Sequence, residues 1–355
     1  MTMTDERWAH KSPTGQAVRA RMYGPASEVH APTEVAVRPR SAIAAPGRQP
    51  EIPGDQVLDY LRTYMGRFVH WPSAEALDAV VLWTAHAAAR DAQGVLIWRA
   101  TPRLLLTSTE NGSGKSTVLD MITLLLGSRF GRLSKVTPRA LGQILGRYHE
   151  VAAIDEVQST FGAGRAAESL RQAINAGYTR RANALAMSGA RADAVSVFGP
   201  VCMAGLDSLI TDTNGRLQDT LARSLIVRLY RAPRRMPELD EVAEEVGERL
   251  AAGLAAWCAQ AGREMAMTAR QMAADAAAEP DEADPADIGD GGRYAQISRP
   301  LRAVARVAGG RWPEAAEAAI AELARAAQGA DQADTALDDI GAIMSAWGTE
   351  GSWQA

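Results

Sequence analysis

The run Thr107-Ser108-Thr109-Glu110-Asn111-Gly112-Ser113-Gly114-Lys115-Ser116-Thr117 leaves this chain few folds to choose from. An apolar, strand-like stretch, Arg103-Leu104-Leu105-Leu106, comes before it, and a helix-like one, Val118 to Leu126, comes after. Strand, glycine-rich loop and helix in that order form the setting of a phosphate-binding loop. Small glycines let backbone N–H groups close on an anion, and the positive end of the following helix points at the same place. Thr109 stands where the common pattern begins with glycine. The run Thr109, Glu110, Asn111, Gly112, Ser113, Gly114, Lys115, Ser116 and Thr117 is the expected nucleotide contact. In it, Lys115 would reach the outer phosphates and the Ser116 hydroxyl would hold Mg²⁺. The competing reading is a glycine-rich turn that binds nothing.

A second segment argues for chemistry. Glu150-Val151-Ala152-Ala153-Ile154-Asp155-Glu156 is a short apolar run ending in two carboxylates, as a buried parallel strand would deliver them. Ligands of open α/β sheets bind at such C-terminal strand ends. Asp155 is expected in the Mg²⁺ shell, and Glu156 is expected to orient or deprotonate the water that attacks ATP. Alone, an Asp-Glu pair after a strand often only caps the next helix; beside the upstream loop it points to Mg²⁺-dependent ATP hydrolysis.

Composition narrows the partners. With 38 Lys and Arg against 42 Asp and Glu, the chain has a formal net charge of −4. Its surface as a whole does not attract nucleic acid, so any such contact needs a local basic patch. The two cysteines, Cys202 and Cys258, stand far apart, which argues against a disulfide framework or a zinc site and for buried apolar roles. His70, His86 and His149 have no partners at metal-ligand spacing and read as structural. No apolar run is long enough to span a bilayer, and no signal-peptide core opens the chain, so no membrane contact and a cytoplasmic location are expected.

The order of patterns divides the chain. Residues 1–50 read as a mildly basic, disordered arm. Residues 51–95 read as a helical pair, with Val57, Leu58, Leu61, Met65 and Phe68 at helical spacing and Ser73 capping the second helix. The core, 96–235, alternates strands and helices. It also holds a possible β-hairpin, Ala184–Met187 and Ala194–Phe198, before a central strand ending at Asp207 and a last strand, Ser224–Leu229. Such alternation implies a three-layer αβα fold around a parallel sheet. Residues 236–278 read as a helical lid region, 279–292 as an acidic link and 293–348 as a helical block broken at Gly309-Gly310. Residues 349–355 read as a frayed tail.

Beyond these motifs, the chain resembles a family of P-loop proteins of unknown function carried by phages, plasmids and actinobacterial genomes and described as helicase- or primase-helicase-like. The resemblance rests on Arg67-Phe68-Val69, Pro102 to Ser108, Gly112-Ser113-Gly114-Lys115, Ile154-Asp155-Glu156 and Asn175 to Arg181. It continues through Asp219 to Ser224, Arg299-Pro300-Leu301 and Ala308 to Pro313. It implies a P-loop NTPase with an AAA+-like fold, built as a homo-oligomeric ring, hexameric by default. In such machines the nucleotide sits between subunits and a neighbour supplies an arginine. Arg223 is the first choice for that finger, with Arg180 and Arg181 behind it; an intramolecular ion pair is the other reading of Arg223. Asp207 would be a polar sensor of the outer phosphate or a helix cap, and Arg293 a second sensor or a surface arginine. In ring helicases a hairpin at this place faces the channel. Arg191, with Arg180 and Arg181, would then touch single-stranded DNA; the other reading is a short solvent-exposed turn, since no aromatic residue stands there to stack bases.

Two functions follow. One is an ATP-driven DNA helicase or translocase in mobile-element replication. The other is a nucleotide-dependent regulatory switch that acts on a protein partner without unwinding DNA.

Overall fold

The computed structural model describes residues 52–161, 164–181, 183–188, 191–209, 217–278 and 292–326, with the backbone alone at 159–160, 184–188, 191–193 and 209. The expected N-terminal arm, most of the acidic link and the tail lie outside the described residues. In chain order come α1 (Gly54–Phe68), α2 (Ala74–Ala88), β1 (Arg103–Ser108), α3 (Lys115–Leu125) and β2 (Arg132–Leu133). Then follow α4 (Pro138–Gly142), which runs into a π-helical turn (Gln143–Arg147), β3 (Ala152–Ile154), α5 (Val157–Thr160) and α6 (Arg165–Ala176). The hairpin strands β4 (Asn183–Ser188) and β5 (Arg191–Ser196) precede β6 (Val201–Leu206), a 3-10 turn (Asp207–Leu209), α7 (Gln218–Leu221) and β7 (Ser224–Arg228). Three more helices follow: α8 (Glu241–Ala278), α9 (Arg293–Ala308) and α10 (312–326).

The expected α/β architecture is present. Five strands form a parallel sheet in the order β2-β3-β6-β1-β7. Their apolar runs are buried on both faces because successive side chains point to opposite sides. Leu104, Leu106, Cys202, Ala204, Leu225 and Val227 share one core with α1, α2, α3, α8, α9 and α10. Leu105, Val201, Met203, Ala152 and Ile154 face the other way, onto Leu141 and Leu145 of the α4 segment and Leu170 and Ile174 of α6. The N-terminal pair and the C-terminal helices thus join one core on one sheet face. Cys202 and Cys258 are both free and buried. Among the described residues no helix is long and apolar enough to cross a membrane.

Local chemistry explains the helix limits. Ser73 Oγ accepts the Ala76 N–H at 3.0 Å and starts α2. Thr137 Oγ1 accepts the Ala140 N–H at 3.2 Å and starts α4, with Pro138 in its first turn. The Gly309-Gly310-Arg311-Trp312 break between α9 and α10 is a clasp. Arg311 donates to both carboxylate oxygens of buried Asp78 on α2 at 2.9 Å, and Arg62 of α1 reaches the same carboxylate at 2.7 Å. Trp312 Nε1 donates to the Asp55 carbonyl at 3.2 Å. Those residues of the family resemblance therefore have a structural role here.

One buried cation ties β1 to the far layer. Arg103 is fully buried; it donates from Nε and Nη2 to the Ile174 carbonyl at 3.1 and 2.7 Å, and from Nη1 to the Gly199 carbonyl at 2.6 Å. Ile174 lies in the last turn of α6, where the helix dipole favours a cation. Arg103→Ala leaves both carbonyls without that donor. It is expected to cost about 3 kcal/mol, read as a lower midpoint in urea unfolding.

Candidate active site

The C-terminal ends of β1, β3 and β6 open into a cleft of about 990 Å³. β6 separates β1 from β3, so their ends stand roughly 10 Å apart at ordinary strand spacing. Gly205 and Leu206 at the end of β6 line the cleft between them. The 109–114 loop leaves β1, and α3 starts above this gap.

Loop geometry depends on two glycines. Gly112 (φ 79°) and Gly114 (φ 93°) both adopt left-handed backbone that other residues avoid. Gly114 is also the N-cap of α3, and as a glycine it has no side chain to cap the first N–H groups of the helix. A Cβ at position 114 would meet Val69 Cγ1 at 3.3 Å, whereas one at 112 would meet nothing within 4 Å. Gly114→Ala is therefore expected to destabilise the fold by about 1–2 kcal/mol, more than Gly112→Ala, as read by thermal unfolding of the two variants.

Lys115 follows at the first turn. Its ammonium donates to the Ser108 hydroxyl, to the Glu110 carbonyl at 3.3 Å and to Ser113 Oγ at 3.3 Å. Burial pushes its pKa down, against the pull of Asp155 and Asp207. Ser116 Oγ donates to Asp155 Oδ2 at 2.9 Å. Arg132 Nη1 reaches the same oxygen at 2.7 Å, and the Glu156 N–H donates to Oδ1 at 2.9 Å. Burial alone would raise the Asp155 pKa, but these bonds outweigh it and hold the carboxyl below its usual value. Glu156 is exposed and lines the cleft with φ 52°, a left-handed conformation that is costly for a non-glycine residue and concentrates at working sites.

These parts fit a Mg²⁺-bound polyphosphate. Ser116 and Asp155 bring two hard oxygen donors together, which suits Mg²⁺, since that ion takes few protein ligands and keeps water and phosphate oxygens. Among the described residues no cluster of three or more His, Cys, Asp or Glu could hold a metal. The uncapped α3 N-terminus and Lys115 offer an anion site beside the donor pair.

The other expected residues separate. Asn111 to Thr117, Asp155 and Glu156 line the cleft, while Thr109 and Glu110 are exposed beside it and the Glu110 carbonyl shapes the loop. Asp207 pairs with Arg228 at the end of β7 at 3.1 Å. Arg223 and Arg293 lie together at the opposite edge of the sheet. The Arg223 carbonyl accepts from the first residue of β1, and its guanidinium pairs with Asp219 at 2.7 Å and lies 5.0 Å from the Tyr178 ring centre. Arg293 stands 3.8 Å from the same Asp219. The expectation that Arg293 touches nucleotide in its own chain is corrected, because β1's six residues, roughly 20 Å, separate that edge from the cleft. Arg180 is exposed, and its guanidinium donates to the carbonyls of Trp98 (3.2 Å) and Leu96, 5.8 Å from the Phe198 ring centre. Arg181 is exposed, and the Arg191 side chain lies outside the described residues.

Four features of the cleft carried no functional expectation from the sequence. Ser108 anchors Lys115. Arg132, on a strand of two residues, had no periodic signal. Phe68, Val69 and His70 form one wall of the cleft, so His70 belongs to the site, whereas His86 is structural as expected. His86 is buried between the Trp83 carbonyl and Thr101 Oγ1, and burial pushes its pKa down to about 3. The segment 231–239, with Arg231, Arg234 and Arg235, forms another wall. Its signal was legible: three arginines among prolines, directly after the last strand. No protein-family model matches the chain, and no curated protein is significantly similar to it.

Proposed function

We propose that the chain is a P-loop, AAA+-like ATPase that requires Mg²⁺ and works as a homo-oligomer. The observation that carries this reading is the Ser116–Asp155 pair at 2.9 Å, beside Lys115 at the N-terminus of α3. Bound ATP with Mg²⁺ would supply the reactive phosphoryl group and its charge neutralisation. Lys115 would exchange its neutral acceptors for phosphate oxygens. Ser116 and Asp155 would orient the cation, and Glu156 would take the proton of the attacking water. Arg231, Arg234 and Arg235, which line the same cleft, would add positive charge there.

The homo-oligomer rests on the resemblance. Arg223 lies at the far edge of the sheet and pairs with Asp219 of its own chain, so a catalytic role for it would require a second copy. Single-stranded DNA is the proposed polymer, and a helicase or translocase of mobile-element replication the proposed machine, on the strength of the resemblance. The commitment of Arg180 to backbone carbonyls favours the second reading, a nucleotide-dependent switch acting on a protein partner.

ATP turnover across protein concentration, with and without single-stranded DNA and at two salt concentrations, separates them. Turnover that rises with protein and with DNA and falls with salt supports the motor. Turnover that rises with protein but ignores DNA supports the switch. No turnover with any divalent cation would overturn the ATPase reading.

A further inference from the structure

Arg132 makes a contact that the proposed reaction does not use. Its Nη1 donates to Asp155 Oδ2 at 2.7 Å, the same oxygen that accepts the Ser116 hydroxyl at 2.9 Å. The other carboxylate oxygen takes the Glu156 N–H at 2.9 Å. A cation that takes Oδ2 must therefore compete with the guanidinium already bonded to it. Arg132 also has somewhere to go: its Nε already donates to Asp120 Oδ1 at 2.9 Å. Asp120 lies one helical turn beyond Ser116 on α3, so both face the same side. The Arg132 and Asp120 side chains are each 40% exposed, against 12% for Asp155, so the outer pair can rearrange while the carboxylate stays fixed.

We propose that Arg132 is a positioning residue that competes with the divalent cation for Asp155, and so sets how much cation the site requires. The inference rests on the reading of Ser116 and Asp155 as the Mg²⁺ site. Arg132 holds the carboxylate ionised and aimed at Ser116; when a cation takes Oδ2, the guanidinium is retained by Asp120 alone. A like charge a few ångströms from a cation site weakens cation binding, and its removal strengthens it. Lysine at this position keeps the charge but loses the fork that engages two carboxylates at once.

The test is a Mn²⁺ titration of the full chain, wild type, Arg132→Gln and Arg132→Lys, with free Mn²⁺ read by electron paramagnetic resonance. Asp155→Asn identifies the signal of this site. In parallel, binding of a fluorescent, non-hydrolysable ATP analogue is followed against Mg²⁺ concentration. Arg132→Gln is expected to lower the half-saturating Mn²⁺ and Mg²⁺ about tenfold, and Arg132→Lys to lower them less. An unchanged or raised cation midpoint for Arg132→Gln overturns the proposal, and a lower Tm beside an unchanged midpoint marks a purely structural role. Wild type that binds Mn²⁺ through Asp155 but no ATP analogue would sink the ATPase reading, while the Mn²⁺ comparison still decides the role of Arg132.

Discussion

Lys115→Ala is expected to abolish nucleotide binding while leaving the chain folded. The ammonium now spends its hydrogen bonds on two hydroxyls and a carbonyl, all neutral acceptors, and burial lowers its pKa. A polyphosphate reverses both conditions, because bonds between charged partners are about twice as strong and an anion favours the protonated form. Loss of such a partner costs binding at least about a hundredfold. The half-buried lysine contributes little to the core, so the variant should unfold cooperatively near the wild-type temperature. The readout is the thermal shift caused by Mg²⁺ and ATP. At one hundred times Kd, a ligand stabilises the wild type by about 2.7 kcal/mol. That is on the order of 5 °C for a chain of this size. Lys115→Ala should shift by less than about 1 °C at the same concentration. A full shift in the variant would mean that the α3 N-terminus binds nothing through Lys115.

Much of the fold was legible because the strands that form the centre of the sheet are continuous apolar runs. Arg103 to Ser108 and Val201 to Leu206 are buried on both faces, and such runs announce themselves by composition. The hairpin was legible only in outline: its first strand, Asn183–Ser188, includes the expected one, but its second, Arg191–Ser196, starts three residues before the expected Ala194–Phe198 and ends two before it. β2 was not legible: two residues, one of them a half-exposed arginine, form no pattern in sequence and become a strand only by pairing with β3. The site divides in the same way. Gly112 to Ser116 and Asp155-Glu156 are local signals whose chemistry lies in residue type and spacing. Arg132 and the wall made by Phe68, Val69 and His70 come from distant segments brought together by the tertiary fold. Arg293 shows the reverse failure. It has a plausible residue type, but it stands beside Asp219 near the beginning of β7, which parallel strands put at the edge of the sheet away from the cleft. Sequence order carries no sense of which end of a strand a residue will occupy until the topology is fixed.

Glu156→Gln is expected to keep nucleotide binding and lose turnover. The residue follows Asp155, whose carboxylate is fully engaged by Ser116, Arg132 and the Glu156 N–H, so Asp155 is poorly placed to accept a proton from water. Glu156 instead faces the cleft from a left-handed backbone conformation, held there in part by its own N–H bond to Asp155. Glutamine keeps the size of the side chain and the backbone bond, but it cannot take up a proton. General-base catalysis is worth about 10²- to 10⁴-fold, and turnover should fall by that factor. The ATP thermal shift should stay within about 1 °C of the wild-type value, since binding depends on Lys115 and the α3 N-terminus. Loss of both binding and turnover would make Glu156 a structural element of the loop. Normal turnover would remove it as the base and leave the left-handed conformation at position 156 to be explained by folding alone. A binding-competent but inactive Glu156→Gln chain has a further use. It accumulates the ATP-bound form, in which any assembly through Arg223 of a neighbouring copy should be most populated and measurable by light scattering.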